Sequence, residues 1–237
     1  MQHHNAVILF ARNAVIDRGG PNEPFAALPW DEIDALFTAM LSDVLESVSD
    51  LPRTDVLLYR AQTDISDEFV AGLGDRVKCF EVDGGSFPEQ VQQAVDNTFT
   101  QGYHRVLVLL ENNPLLQTMF LKRAFDQLSY EEDCFVVVPT IEGKCLLVGM
   151  KANHSNIFDN TEGDPIASAH VLLERLCTAN ANIFPAESRF SLDSGARLVR
   201  LRNEIETRAA SNENYPTSTL EIFRRFDKKY TMKKLFR

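Results

Sequence analysis

Tyr103–Phe120, YHRVLVLLENNPLLQTMF, decides how the chain is read. Val106 to Leu110 are five consecutive apolar residues, mostly branched. A run of that kind suits a central parallel strand covered on both faces, since an edge strand would alternate polar and apolar positions. Glu111, Asn112 and Asn113 break the run. Pro114 suits the first position of a helix, where no amide hydrogen bond is required. In open α/β sheets, ligands bind just past the carboxyl ends of such strands. Glu111 to Asn113 are therefore expected to border any active site.

The same reasoning orders the rest of the chain. Ala6–Ala11 (AVILFA) reads as a first buried strand, followed by a long Gly- and Pro-containing loop from Arg12 to Pro29. Ile33, Leu36, Phe37, Met40, Leu41, Val44, Leu45 and Val48 recur on one helical face. Asp55–Ala61 and Val77–Val82 read as strands. Phe87–Phe99 reads as a helix stopped by Gly102. Cys134–Pro139 and Lys144–Met150 meet around Glu142-Gly143, which predicts a hairpin and hence a mixed sheet. An amphipathic helix from Ile166 to Cys177, a short strand at Asn182–Pro185, and helices near Ser194–Ala210 and Thr217–Tyr230 complete the pattern. The expected architecture is α/β: a three-layer α/β/α sandwich with a mixed, mainly parallel sheet and C-terminal helices. Residues 1–210 are expected to form the main domain and residues 211–237 a basic helical extension.

Composition narrows the function classes. With 237 residues the chain can bury one sizeable core, and 44% apolar with 24% charged residues is ordinary for a globular protein. No apolar run reaches the roughly 18 residues needed to span a bilayer, and no signal peptide is recognisable before Ala6. Four cysteines without a C-x-x-C pair are expected to be reduced and mostly buried, which points to the cytoplasm. A net charge of −10 speaks against general nucleic-acid binding. The end of the chain runs the other way. Seven Lys/Arg stand against three acids from Asn212 onward, which suits a solvated helix end first, and otherwise phosphates, an acidic partner or self-association through the C-terminal helices.

The sequence has no G-x-x-x-x-G-K, G-x-G-x-x-G, G-x-S-x-G or H-E-x-x-H motif, and its histidines lack metal-ligand spacing. What is left lies at strand ends. Asp83-Gly84-Gly85-Ser86 precedes a helix whose first amides would suit a phosphate; taken alone, it reads rather as a Gly turn with a capping serine. Asp193 suits a divalent cation or an N-cap, and Glu142 a base or a solvated turn residue.

The order of these segments resembles the glycosyltransferase A, or nucleotide-diphospho-sugar transferase, fold. More narrowly it resembles the bacterial selenodomain-associated transferases, relatives of the F420 guanylyltransferase. The similarity runs from about Ala6 to Val199. The family's opening Ala-Lys-x-Pro-Val-Pro-Gly-Arg falls on Ala11 to Arg18, where Arg12 and Arg18 keep the charge. Its Gly-Ser-Asp-Ser-Pro-Asp falls on Leu110 to Leu115. Its Pro-x-x-Asp-Gly-Gly-Tyr-Tyr-Leu-Ile-Gly falls on Pro139 to Gly149, and its Asp-Val-Asp-Thr on Ser191 to Ser194.

The resemblance implies transfer of a sugar or nucleotidyl group from a nucleoside diphosphate sugar or a nucleoside triphosphate. Ala11, Arg12, Arg18, Gly84, Gly85 and Asn112 would then contact the nucleotide. Asn112 and Asp193 would lie at a Mg or Mn ion, and Glu142 near the acceptor as the catalytic group. The metal-site aspartate is here Asn112, and the first acid of the later pair is Ser191. An amide brings no charge to a cation at pH 7. Glu111 could substitute only if it points the same way, and successive strand residues face opposite sides. The alternative reading is a catalytically degenerate transferase fold serving as a binding or scaffold module.

Overall fold

The computed structural model describes residues 4–11, 28–61, 65–82, 85–159, 169–179, 181–192 and 194–230. Seven strands form one sheet: β1 (Asn5–Phe10), β2 (Thr54–Arg60), β3 (Val77–Glu81), β4 (Arg105–Leu109), β5 (Cys134–Pro139), β6 (Cys145–Met150) and β7 (Asn182–Pro185). Their spatial order is β3-β2-β1-β4-β6-β5-β7. β6 runs antiparallel to both its neighbours, β4 and β5, and every other pairing is parallel. The mixed sheet and the β5–β6 hairpin therefore stand as expected.

Period-2 geometry explains why continuous apolar runs belong here. Val106, Val108 and Leu110 enter one core, while Leu107 and Leu109 enter the other. β1 divides its residues in the same way. The first core is covered by α3 (Phe87–Thr100), a short 3-10 turn at Ser155–Phe158 and α5 (Ala169–Thr178). The second is covered by α1 (Trp30–Ser49) and α4 (Thr118–Gln127). α2 (Asp67–Ala71) and the 3-10 turn have no periodic signature in the sequence, being barely a turn long.

Gly149 shows how tightly these layers meet. A Cβ there would stand 2.8 Å from Leu107 Cδ2, 3.2 Å from Leu128 Cδ1 and 3.3 Å from Val136 Cβ. Leu107 can shift its methyl tip, but the Val136 Cβ is held by its backbone. Gly149→Ala is therefore expected to cost about 1–2 kcal/mol through overpacking, read as a lower urea midpoint at unchanged slope.

Two expectations change. The helix after β4 begins at Thr118, not at Pro114. The Asn113 side chain accepts from the Leu115 amide at 3.0 Å, and the Asn113 carbonyl accepts from Leu116 at 3.0 Å. These local bonds form a turn that buries Leu115 and Leu116 before the helix starts. Of the four free cysteines, Cys134 and Cys145 are buried but Cys79 and Cys177 are exposed, so burial holds for only half. Burial pushes the Cys145 thiol up to about 12, which leaves it inert.

The C-terminal helices α6 (Gly195–Ala210) and α7 (Thr217–Lys229) build a third core on the amino-terminal half of α1. Leu220, Phe223 and Phe226 of α7 pack there with Leu36, Met40, Leu198 and Leu201. Residues up to 230 thus fold onto the main body. Two of the basic residues are engaged as well. Arg225 lies 2.5 Å and Lys229 2.7 Å from the carboxylate of Glu32, which is itself only 4% exposed.

Lys229 first, then Arg225, hold the Glu32 carboxyl below its ordinary value, against the opposing effect of burial. A carboxylate with a lowered folded pKa contributes stability above its unfolded pKa and loses it as pH falls through the folded one. Wild-type protein is thus expected to lose thermal stability on acidification below the ordinary carboxylate range. Glu32→Gln should show a shallower loss in the same pH series of melting curves.

Candidate functional site

The site lies where the sheet topology brings four segments to one edge. The tips of β1 and β4 are adjacent because those strands pair directly, and β6 places the β5–β6 hairpin beside them. The fourth segment, 189–192, is drawn in by a parallel bridge between Thr140 and Arg189. The Ile141 amide donates to the Arg189 carbonyl at 2.8 Å, and the Arg189 amide to the Pro139 carbonyl at 3.1 Å.

Ser191 sits at the junction. Its hydroxyl donates to Glu111 Oε2 at 2.7 Å, and its amide donates to Glu142 Oε2 at 2.9 Å. The Leu192 amide donates to Glu111 Oε1 at 2.7 Å. Glu142 Oε1 faces Arg197 Nε at 3.2 Å, its side chain only 13% exposed. Glu142 is thus no solvated turn residue; it ties the hairpin to the 191–192 segment and to α6. Gly143 supports the turn with a φ of +83, a conformation that a side chain would strain.

Asn112 points elsewhere. Its Nδ2 donates to the carbonyl of Phe10 at 2.8 Å, fastening the tips of β1 and β4. Asn113 is buried and donates to the Phe190 carbonyl at 2.9 Å, fixing the start of the 190–192 segment. Ala11 is buried beside them, its amide bonded to the Tyr59 carbonyl. Gly85 has a φ of +75 and precedes α3, where Ser86 and Glu89 form a capping box. The Glu89 carboxylate accepts from the Ser86 amide at 2.6 Å and hydroxyl at 2.9 Å, so that helix start carries its own anion. Arg12, Arg18, Gly84 and Asp193 lie outside the described residues.

The structure thus gathers Glu111, Asn112, Glu142 and Ser191, with Ala11 alongside. Arg197 was missed by sequence reasoning. It stands in the first turn of α6, where the helix dipole disfavours a cation and no acid is present, and that misplacement was the available signal.

A divalent cation is implied by the fold family, so its fit can be tested on these atoms. Cations of this kind need oxygen lone pairs aimed at one point. At the two positions where the family carries acids, the chain instead aims an N–H of Asn112 at Phe10 and an O–H of Ser191 at Glu111. An aspartate oxygen in the place of Asn112 Nδ2 would face the Phe10 carbonyl oxygen at 2.8 Å. Both oxygens of Glu111 and both of Glu142 take protein donors. Among the described residues no three His, Cys, Asp or Glu side chains gather into a metal-holding group. The residues described do not fit the ion.

Two clefts lie away from these tips. One of about 90 Å³ is lined by Asp43, Thr118 and Tyr215, and an open one of about 730 Å³ by Asp133, Cys177 and Asn182. Among the described residues no helix is long and apolar enough to cross a membrane.

Comparison with known proteins agrees with this fold. Residues 44–162, half of the chain, match the family described as "Uncharacterized protein conserved in bacteria (DUF2064)". A protein of Desulfovibrio desulfuricans G20 assigned to the nucleotide-diphospho-sugar transferases superposes with a TM-score of 0.78 at 17% identity, covering 98% of both chains. A 4-diphosphocytidyl-2C-methyl-D-erythritol synthase from Anaerococcus prevotii superposes with a TM-score of 0.58 at 9% identity, over 86% of this chain and 97% of its own. A cytidylyltransferase from Leptospira borgpetersenii gives 0.53 at 15% identity, over 98% and 96%. No curated protein sequence matches. At such identities the likeness is one of fold: a mixed, mostly parallel α/β sheet of the nucleotide-diphospho-sugar transferase type.

Proposed function

The chain belongs to the bacterial family DUF2064, and from that premise we propose that it is a transferase acting on an activated nucleotide. The donor would be a nucleoside triphosphate or a nucleoside diphosphate sugar, and the group transferred nucleotidyl or glycosyl. The observation that carries this reading is the convergence of Glu111, Glu142, Ser191 and Arg197 at the carboxyl edge of the sheet. That edge is where open α/β sheets receive ligands. Arg197 would face the departing phosphate, where a fixed guanidinium stabilises developing charge. Glu142 would orient Arg197 and border the acceptor. Arg12, Arg18, Gly84 and Gly85 would complete the donor pocket.

Melting curves over a panel of nucleoside triphosphates and nucleotide sugars test the reading. A ligand present at about a hundredfold its Kd should raise the melting temperature by about 5–10 °C. Chromatography of the same mixtures should show pyrophosphate or nucleoside diphosphate released when an acceptor is supplied. No shift across the panel would overturn the reading. The donors that stand in for acids at 112 and 191 favour a second one, a binding module without turnover. It predicts the shift without any released product.

A further inference from the structure

Arg197 spends its Nε on Glu142, but a second arginine one turn along α6 is not tied to any acid among the described residues. We propose that this residue, Arg200, is a phosphate-binding side chain of the nucleotide site, held in place by stacking on Phe190. The inference rests on the transferase reading above and deepens it.

The place of Arg200 follows from what is fixed at the strand tips. The Phe190 carbonyl accepts from the buried Asn113, and Ser191, the next residue, is bonded to both Glu111 and Glu142. Phe190 is buried in the third core with Leu115 and Leu198. The exposed Arg200 lies over its ring, the guanidinium carbon 4.3 Å from the centroid. Arg200 also stands three residues after Arg197, so the two share one side of α6, and Arg197 is the residue that meets Glu142.

Stacking occupies the flat face of a guanidinium and leaves its five N–H groups around the rim. Among the described residues, none of those groups of Arg200 has a hydrogen bond or an ion pair. Glu204, the acid one turn further along α6, is taken by Arg208 at 2.5 Å. A cation already held against a ring loses little further freedom when an anion arrives. Its planar fork matches two phosphate oxygens at once, a geometry that lysine does not reproduce.

Titration calorimetry with CDP, UDP and GDP tests the proposal, all in the same millimolar manganese so that any cation the site takes is present throughout. Arg200→Gln is expected to raise the Kd of the diphosphate that binds about tenfold, with Arg200→Lys in between. Arg224→Gln, which removes an exposed charge from α7, should leave that Kd within about twofold of wild type. Melting curves establish that the variants are folded. If Arg200 only shields Phe190, Arg200→Gln lowers the melting temperature and leaves the Kd unchanged, which overturns the inference and spares the transferase reading. An equal loss in Arg224→Gln also overturns it, because the effect is then one of net charge. Absence of binding by the wild-type protein to all three diphosphates overturns the inference and the transferase reading together.

Discussion

Replacing Asp43 with alanine is expected to destabilise the protein by about 3–4 kcal/mol, because one buried carboxylate satisfies three donors at the start of α7. Asp43 is 3% exposed and accepts from the Ser218 amide at 2.9 Å, the Thr219 amide at 2.8 Å and the Thr219 hydroxyl at 2.5 Å. It acts as an N-cap supplied from α1, because Pro216, the residue in the cap position, has no side-chain oxygen to offer. Removing it leaves Thr219, which is fully buried, without the acceptor that holds both its amide and its hydroxyl. The melting temperature should fall by about 6–16 °C for a chain of this size. Thr219→Val, which removes only the hydroxyl, should cost about 1 kcal/mol. If the two variants melt alike, the amide bonds contribute nothing and the capping account fails.

Asn112→Asp is the second large effect and bears directly on the site. The substitution restores the family's acid but removes the donor to Phe10. A carboxylate oxygen would stand where Nδ2 now lies, 2.8 Å from a carbonyl oxygen. The lost bond and the new repulsion should together cost about 2–3 kcal/mol, measured by urea unfolding. Manganese should not restore that loss. Recovery of wild-type stability in manganese would mean that position 112 borders a cation site after all.

How far the site was legible follows from the same residues. Glu111 to Asn113 could be placed at a strand tip from the apolar run that precedes them. The direction of Asn112 could not, because an amide offers both a donor and an acceptor and the sequence does not say which meets the neighbouring strand. Ser191 looked like a lost acid. Beside Glu111, 80 positions away, it is the hydroxyl that a carboxylate there requires. The early helix expected at Pro114 failed for a local reason of the same kind, since the Asn113 side chain outcompetes the helix for the Leu115 amide.

By itself, then, the sequence determined the layers: unbroken apolar runs have to be covered on both faces, and helical stripes spaced to do so follow them. Only the tertiary structure decided what the strand tips are made of. Which lone pair meets which N–H depends on segments 49 to 102 residues apart arriving at one edge, and hydrogen bonds specify themselves only once their partners are within reach.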